Sequence, residues 1–181
     1  MTKSSLSLVI AIGACGGGNT IPVDAAIDAY VPPCGLGDQQ VRDASTGQCY
    51  EVYRMQALDW PAARVACRTA GGDLATISTV AENNLISSVV GAGGLYFIGG
   101  SIQEGAWAWS SGEPMTFTHW GTGKPDSGRD NDPGTGTYPA ETCLVLDANM
   151  AGRWNDFPCV YDIQARTSGT LAYVCERRAP P

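Results

Sequence analysis

Between Lys124 and Cys159 the chain gathers oxygen-bearing side chains at spacings that suit a bound cation. Asp126 follows Lys124-Pro125, Glu141 stands two residues before Cys143, and Asn155-Asp156 follow Trp154 shortly before Cys159. Asp130 and Asp132 lie in the glycine-rich run between them. Carboxylates and an amide carbonyl are the ligands of a hard cation such as Ca²⁺, which takes about six to eight oxygens. Asp130, Asp132 and Glu141 even fall on the first, third and twelfth positions of an EF-hand loop. The glycine at the sixth position and the flanking helices are missing, so the coincidence carries no weight. Lys124 is the misfit: an ammonium has donors and no acceptor, so it cannot coordinate a cation. Paired with Asp126 or Glu141, it would put a side-chain charge where the metal belongs.

Catalytic patterns are lacking. His119 is the only histidine, and the sequence has no close Cys-x-x-Cys pair, no Gly-x-Ser-x-Gly elbow and no phosphate-binding Gly-x-x-x-x-Gly-Lys-Ser/Thr. The chain reads as a binding protein rather than an enzyme. A formal charge of -7 argues against a nucleic-acid backbone as partner, because that surface attracts basic proteins.

The elements that position these side chains follow from local patterns. Asp43 to Gly47 is a turn between two short runs, which suits a hairpin. Asp59 reads as an N-cap with Pro61 in the first turn of a helix that ends at Gly71-Gly72, and Trp60 and Cys67 share its buried face. Leu74 to Ile77 reads as a strand. Thr79-Val80-Ala81-Glu82 is a capping box ahead of the stripe Leu85, Ile86, Val89 and Val90, which predicts a second helix. Strand-like runs then follow at 95–98, 106–109, 116–120, 143–146, 152–154 and 171–175, with a long irregular segment from Gly121 to Ala140. Strands that follow helices rather than alternate with them indicate an α+β domain with antiparallel pairing. Structureless loops beyond about 12–15 residues are usually functional or disordered.

Three further segments flank the domain. Lys3, the apolar run Leu6 to Ile12, and Ile12-Gly13-Ala14 before Cys15 read as an export signal over residues 1–14. Small residues before a cysteine resemble a bacterial lipobox, which implies acylation of Cys15. Residues 15–33 are rich in Gly, Ala, Asp and Pro, too poor in apolar surface to offset ordering entropy, and read as a disordered tether. The domain is expected over 34–178, with a tail at 179–181. No run reaches the roughly 18–20 apolar residues of a spanning helix, so the membrane enters only through the lipid at Cys15. Acylation would also account for the odd cysteine among seven, leaving six whose pairing the sequence leaves open.

Leu74-Ala75-Thr76-Ile77, Phe97-Ile98-Gly99-Gly100, Trp107-Ala108-Trp109, Trp120, Glu141-Thr142-Cys143, Trp154-Asn155-Asp156 and Tyr173-Val174-Cys175-Glu176 occur in the order found in C-type lectin-like domains. The resemblance spans about Cys34 to Arg178. It implies a C-type lectin-like fold of two helices and antiparallel sheets with a long irregular ligand-binding loop. It also implies three disulfides: Cys67 with Cys175, Cys143 with Cys159, and Cys34 with Cys49. By the same resemblance Pro125 is a cis proline, and Asp126, Glu141, Asn155 and Asp156 hold Ca²⁺ and sugar, with Asp130 and Asp132 as possible extra ligands. Trp154 is expected in the core, and Trp107, Trp109 and Trp120 mostly so. The function implied is calcium-dependent binding of a glycan or glycoprotein at the cell envelope, on the outer membrane or cell surface. The alternative is a metal-independent protein-binding or adhesion module that uses Lys124, Arg129 and Tyr138; a third is a structural envelope lipoprotein. Replacing Cys15 with Ser should move the protein from the membrane to the soluble fraction on cell fractionation, and continued membrane retention would rule out lipidation at Cys15 as the anchor.

Overall fold

The computed structural model describes residues 34–35, 37–56, 58–128, 139–160 and 171–178. The expected export signal, Cys15, the tether, the loop residues Arg129, Asp130, Asp132 and Tyr138, and the tail lie outside the described residues.

The chain opens with a hairpin of β1 (Gln39–Arg42) and β2 (Gln48–Tyr53). Its turn is fixed by Asp43, whose Oδ1 accepts from the Ser45 amide at 2.7 Å, a local bond that aspartate makes well. Helix α1 (Trp60–Thr69) starts where Asp59 accepts from the Ala62 amide, and it buries Trp60, Ala63 and Cys67. Helix α2 (Val80–Val90) carries the expected capping box, with Thr79 and Glu82 each satisfying the other's backbone amide. Arg54 closes its other end by donating to the carbonyls of Val89 and Val90 at 2.8 and 2.6 Å. These are carbonyls that no further helical turn satisfies, at the end of the helix where positive charge is favoured.

The remaining strands are β3 (Asp73–Leu74), β4 (Leu95–Gln103), β5 (Ala106–Trp109), β6 (Glu141–Asp147), β7 (Arg153–Pro158) and β8 (Leu171–Arg178). They join β1 and β2 in one sheet ordered β1-β2-β8-β4-β6-β7, with β3 beside β8 and β5 beside β4. Side chains alternate across its central strands. Tyr96, Ile98, Leu144, Leu146, Ala172 and Val174 pack with Ile86 and Val90 of α2, while Phe97, Cys143, Val145, Tyr173 and Cys175 pack with α1. This period of two places one helix on each core. Gly100 permits the close approach of β4 and β6, since a Cβ there would lie 2.8 Å from Leu144.

The three disulfides join Cys34 to Cys49, Cys67 to Cys175, and Cys143 to Cys159. The second spans 108 residues and ties α1 to β8; in the loop-entropy view such a closure stabilises by about 4–5 kcal/mol and the two short ones by about 3 each.

Four expectations need correction. Antiparallel pairing is broken at the centre of the sheet, where β4 and β8 run parallel. Of the run expected as a strand from Leu74 to Ile77, only Leu74 is in the ladder. At Thr76 the amide donates instead to the Glu176 carboxylate at 2.8 Å, so a side chain replaces the neighbouring strand. The segment 116–120 alternates as a strand does, with Phe117 and His119 half-buried and Thr116 and Thr118 exposed. It joins the sheet only through a bridge between Trp120 and Trp154. The run expected at 152–154 extends to Pro158, so Asn155 and Asp156 lie inside β7.

Burial pushes the carboxyl of Glu176 up to about 7 from an ordinary 4.5, opposed by the Thr76 amide and reinforced by Glu113 and Glu82. A carboxyl raised on folding contributes stability that is complete below the unfolded value and is lost as pH rises through the folded one. Glu176→Gln cannot ionise and keeps that stability. Thermal melts should show its advantage over the parent growing between pH 4.5 and 7 and levelling above, at roughly 1–3 kcal/mol.

Candidate functional site

The site sits where β6 begins, where β7 passes beside it, and where the loop after Trp120 folds onto both. Glu141 is the first residue of β6, and the β6–β7 register shifts between Glu141 and Cys143. Beyond that irregularity Asp156 faces Leu144 and Asn155 faces Val145. The Cys143–Cys159 disulfide ties the start of β6 to the residue just past β7.

Two sets of bonds fasten the loop to β7. Trp154 donates its amide to the His119 carbonyl at 2.7 Å and accepts from the Gly121 amide at 2.8 Å. Two residues on, Asp156 is fully buried and accepts from the amides of Asp126 and Ser127, the latter at 2.6 Å. Two backbone donors on a buried carboxylate are the compensation its charge requires. The Lys124–Pro125 bond is cis. Gly128 follows at φ 90°, a left-handed conformation suited to glycine, and donates to Asp126 Oδ1 at 3.2 Å.

Carboxylate oxygens of Asp126, Glu141 and Asp156 thus come within 4.8 Å of one another. Glu141 is 2% exposed and Asn155 8%. Asn155 Oδ1 is buried and accepts no hydrogen bond from the described residues. Buried acceptors left without a donor are uncommon and call for a reason. Lys124 reaches into the same cluster: its Nζ lies 2.7 Å from Asp126 Oδ2, with side chains only 5% and 12% exposed. Three carboxylates and an amide oxygen suit a hard cation in number and kind. Among the described side chains one ammonium stands against three carboxylates.

Of the residues expected to bind, Asp126, Glu141 and Asp156 come together, Asn155 adjoins Asp156 on β7, and Asp130 and Asp132 lie outside the described residues. Trp154 and Trp109 are in the core, and Trp107 and Trp120 are half-buried. His119 serves through its carbonyl, and burial followed by the Arg153 charge holds its imidazole below the usual range.

Asn83 is a residue the sequence reading overlooked. Buried on α2, it accepts from the Trp154 indole at 2.8 Å and donates to the Gly152 carbonyl at 3.2 Å. It therefore holds the start of β7 from the core side. Gly152 can meet it only as glycine: φ is 76° and a Cβ would lie 2.1 Å from Ser87 Oγ. The signal was a polar residue three and seven positions before Ile86 and Val90, on the helix's buried stripe.

This fold and loop define a C-type lectin-like domain, and comparison with known proteins agrees. The Lectin C-type domain family matches residues 56–177, and the chain belongs to that family. Over 130 residues it is 34% identical to the type-2 ice-structuring protein of Hemitripterus americanus, covering 71% of this chain and 69% of the relative. It is 32% identical over 119 residues to the galactose-specific lectin nattectin of Thalassophryne nattereri, covering 62% and 67%. Human lymphocyte antigen 75 is 28% identical over 148 residues, and this chain spans 8% of its length. Among solved structures, the carbohydrate-recognition domain of the mouse scavenger receptor C-type lectin aligns with a TM-score of 0.60 and 26% identity, covering 81% of this chain and all of that one. A calcium-independent type II antifreeze protein aligns at 0.60 and 24%, covering 83% and 99%.

Asn83→Ala strips a donor and an acceptor from a buried network and should lower stability by about 2–4 kcal/mol in urea titrations. Asn84→Ala, one position along on the exposed face, should stay within about 0.5 kcal/mol of the parent.

Proposed function

We propose that the domain is a carbohydrate-binding module, displayed on the cell envelope through a lipid on Cys15, whose sugar site is built on Ca²⁺ held by Asp126, Glu141, Asn155 and Asp156. The observation that carries the reading is the convergence of three carboxylates within 4.8 Å, beside the buried Asn155 Oδ1 that no described donor satisfies. A relative 32% identical is named a galactose-specific lectin. When bound, Ca²⁺ would offset the acidic charge and offer coordination sites to vicinal hydroxyls. The chain's own part is positioning. Asp156 clamps the loop amides of Asp126 and Ser127, the Cys143–Cys159 bond holds Glu141 against β7, and Asn83 fixes Trp154 and hence the two residues after it.

The Lys124–Asp126 ion pair favours a second reading, a metal-independent protein-binding surface in which Lys124 takes the cation's place. A glycan array probed in millimolar Ca²⁺ and in EDTA separates the two. The first reading expects sugar binding with Ca²⁺ that EDTA abolishes and that Glu141→Gln weakens by about tenfold or more. A blank array in both conditions sinks it, and binding to a protein ligand that persists in EDTA supports the second.

A further inference from the structure

We propose that Lys124 is a tethered cation: in metal-free protein it holds the acidic cluster together, and it sets the affinity a divalent cation must reach to replace it. This rests on the reading of the cluster as a cation site. The Lys124 side chain is 5% exposed and its ammonium contacts Asp126 Oδ2 at 2.7 Å, and Asp126 is one of three carboxylates with oxygens within 4.8 Å of one another. Burying an ammonium costs desolvation unless anionic partners offset it, and gathering carboxylates costs repulsion unless a positive charge sits among them. Each problem is the other's solution. A divalent cation ligated by Asp126 would have to share that carboxylate with Lys124, and two positive charges a few ångströms apart in a poorly hydrated place repel strongly.

The backbone allows the exchange. The Lys124 amide donates to the Gly121 carbonyl at 3.1 Å, and Asp126 is held through its own amide by Asp156 and through Oδ1 by the Gly128 amide. The main chain is thus fastened by bonds that do not involve the ammonium. Asn155 Oδ1, buried beside Asp156 without a described donor, is an acceptor the lysine leaves unused and a metal would not. The site therefore has two occupied forms, one with the ammonium and one with a divalent cation.

The test uses the full chain, with Lys124→Gln to remove the charge and Lys124→Arg to keep it. Melting temperature is read in EDTA and during titration with CaCl₂, and Ca²⁺ affinity by calorimetry. In EDTA, Lys124→Gln should melt below the parent and Lys124→Arg close to it. In CaCl₂ the order should reverse, with the Ca²⁺ dissociation constant of Lys124→Gln lower by about tenfold or more. A Lys124→Gln protein that melts with the parent in EDTA and binds Ca²⁺ no better overturns the proposal. Should no protein take up Ca²⁺, the cation-site reading falls and with it the exchange. Ca²⁺ uptake with a blank glycan array removes only the sugar reading.

Discussion

The buried carboxylate of Asp156 is the contact on which the site depends. It sits in β7, fully enclosed, and its oxygens receive the amides of Asp126 and Ser127. A loop has little apolar surface with which to dock, and each exposed amide it turns inward needs an acceptor. One carboxylate in a rigid strand supplies acceptors for two consecutive amides, and the turn leading to Gly128 forms around it. The position of Asp126 is thereby inherited from the sheet, as that of Glu141 is from β6.

Two other acids, Glu51 buried and Glu176 half-buried, show what a carboxylate satisfied by nearby donors looks like. Glu51, 1% exposed, contacts the Arg177 guanidinium and accepts from the Tyr53 hydroxyl at 2.8 Å. Glu176 accepts from the Thr76 amide and from Gln48, each at 2.8 Å. Each has its donors in the described sheet or beside it, and around Glu51 the packing is closed: a Cβ at Gly35 would lie 2.1 Å from Glu51 Oε1. The β6–β7 cluster differs in kind: three carboxylates converge there, and Asn155, next to Asp156 on β7, has a buried amide oxygen that no described donor meets. That contrast marks the cluster as the candidate site.

Much of this was legible in the sequence because it rests on local chemistry. Asp59, the Thr79–Glu82 box and the Asp43 turn each act within a few residues, and their elements fall where those signals put them. The ordered motifs placed Trp154 in the core and the acidic residues around β6 and β7. What sequence could not carry were bonds between residues far apart in the chain. The alternation of 116–120 looks like a strand although most of its backbone finds no partner in a ladder. The parallel β4–β8 pair joins segments more than seventy residues apart. Asn83 meets Trp154 across 71 residues, and a polar residue in an apolar stripe only hinted that some such partner existed. Likewise Lys124 was visible as a misfit, but which acid it meets is settled by the fold of a turn.

The order of strands also governs how the domain faces its surroundings. Cys34 leads into β1 at one margin of the sheet, and β7 forms the other, with β2, β8, β4 and β6 between. At about 4.8 Å per strand the two margins are roughly 20–25 Å apart along the sheet. The hairpin that opens the domain and the acidic cluster beside β7 therefore lie at opposite margins of the sheet. A substitution in that hairpin is thereby separated from the acidic cluster by the strands that lie between.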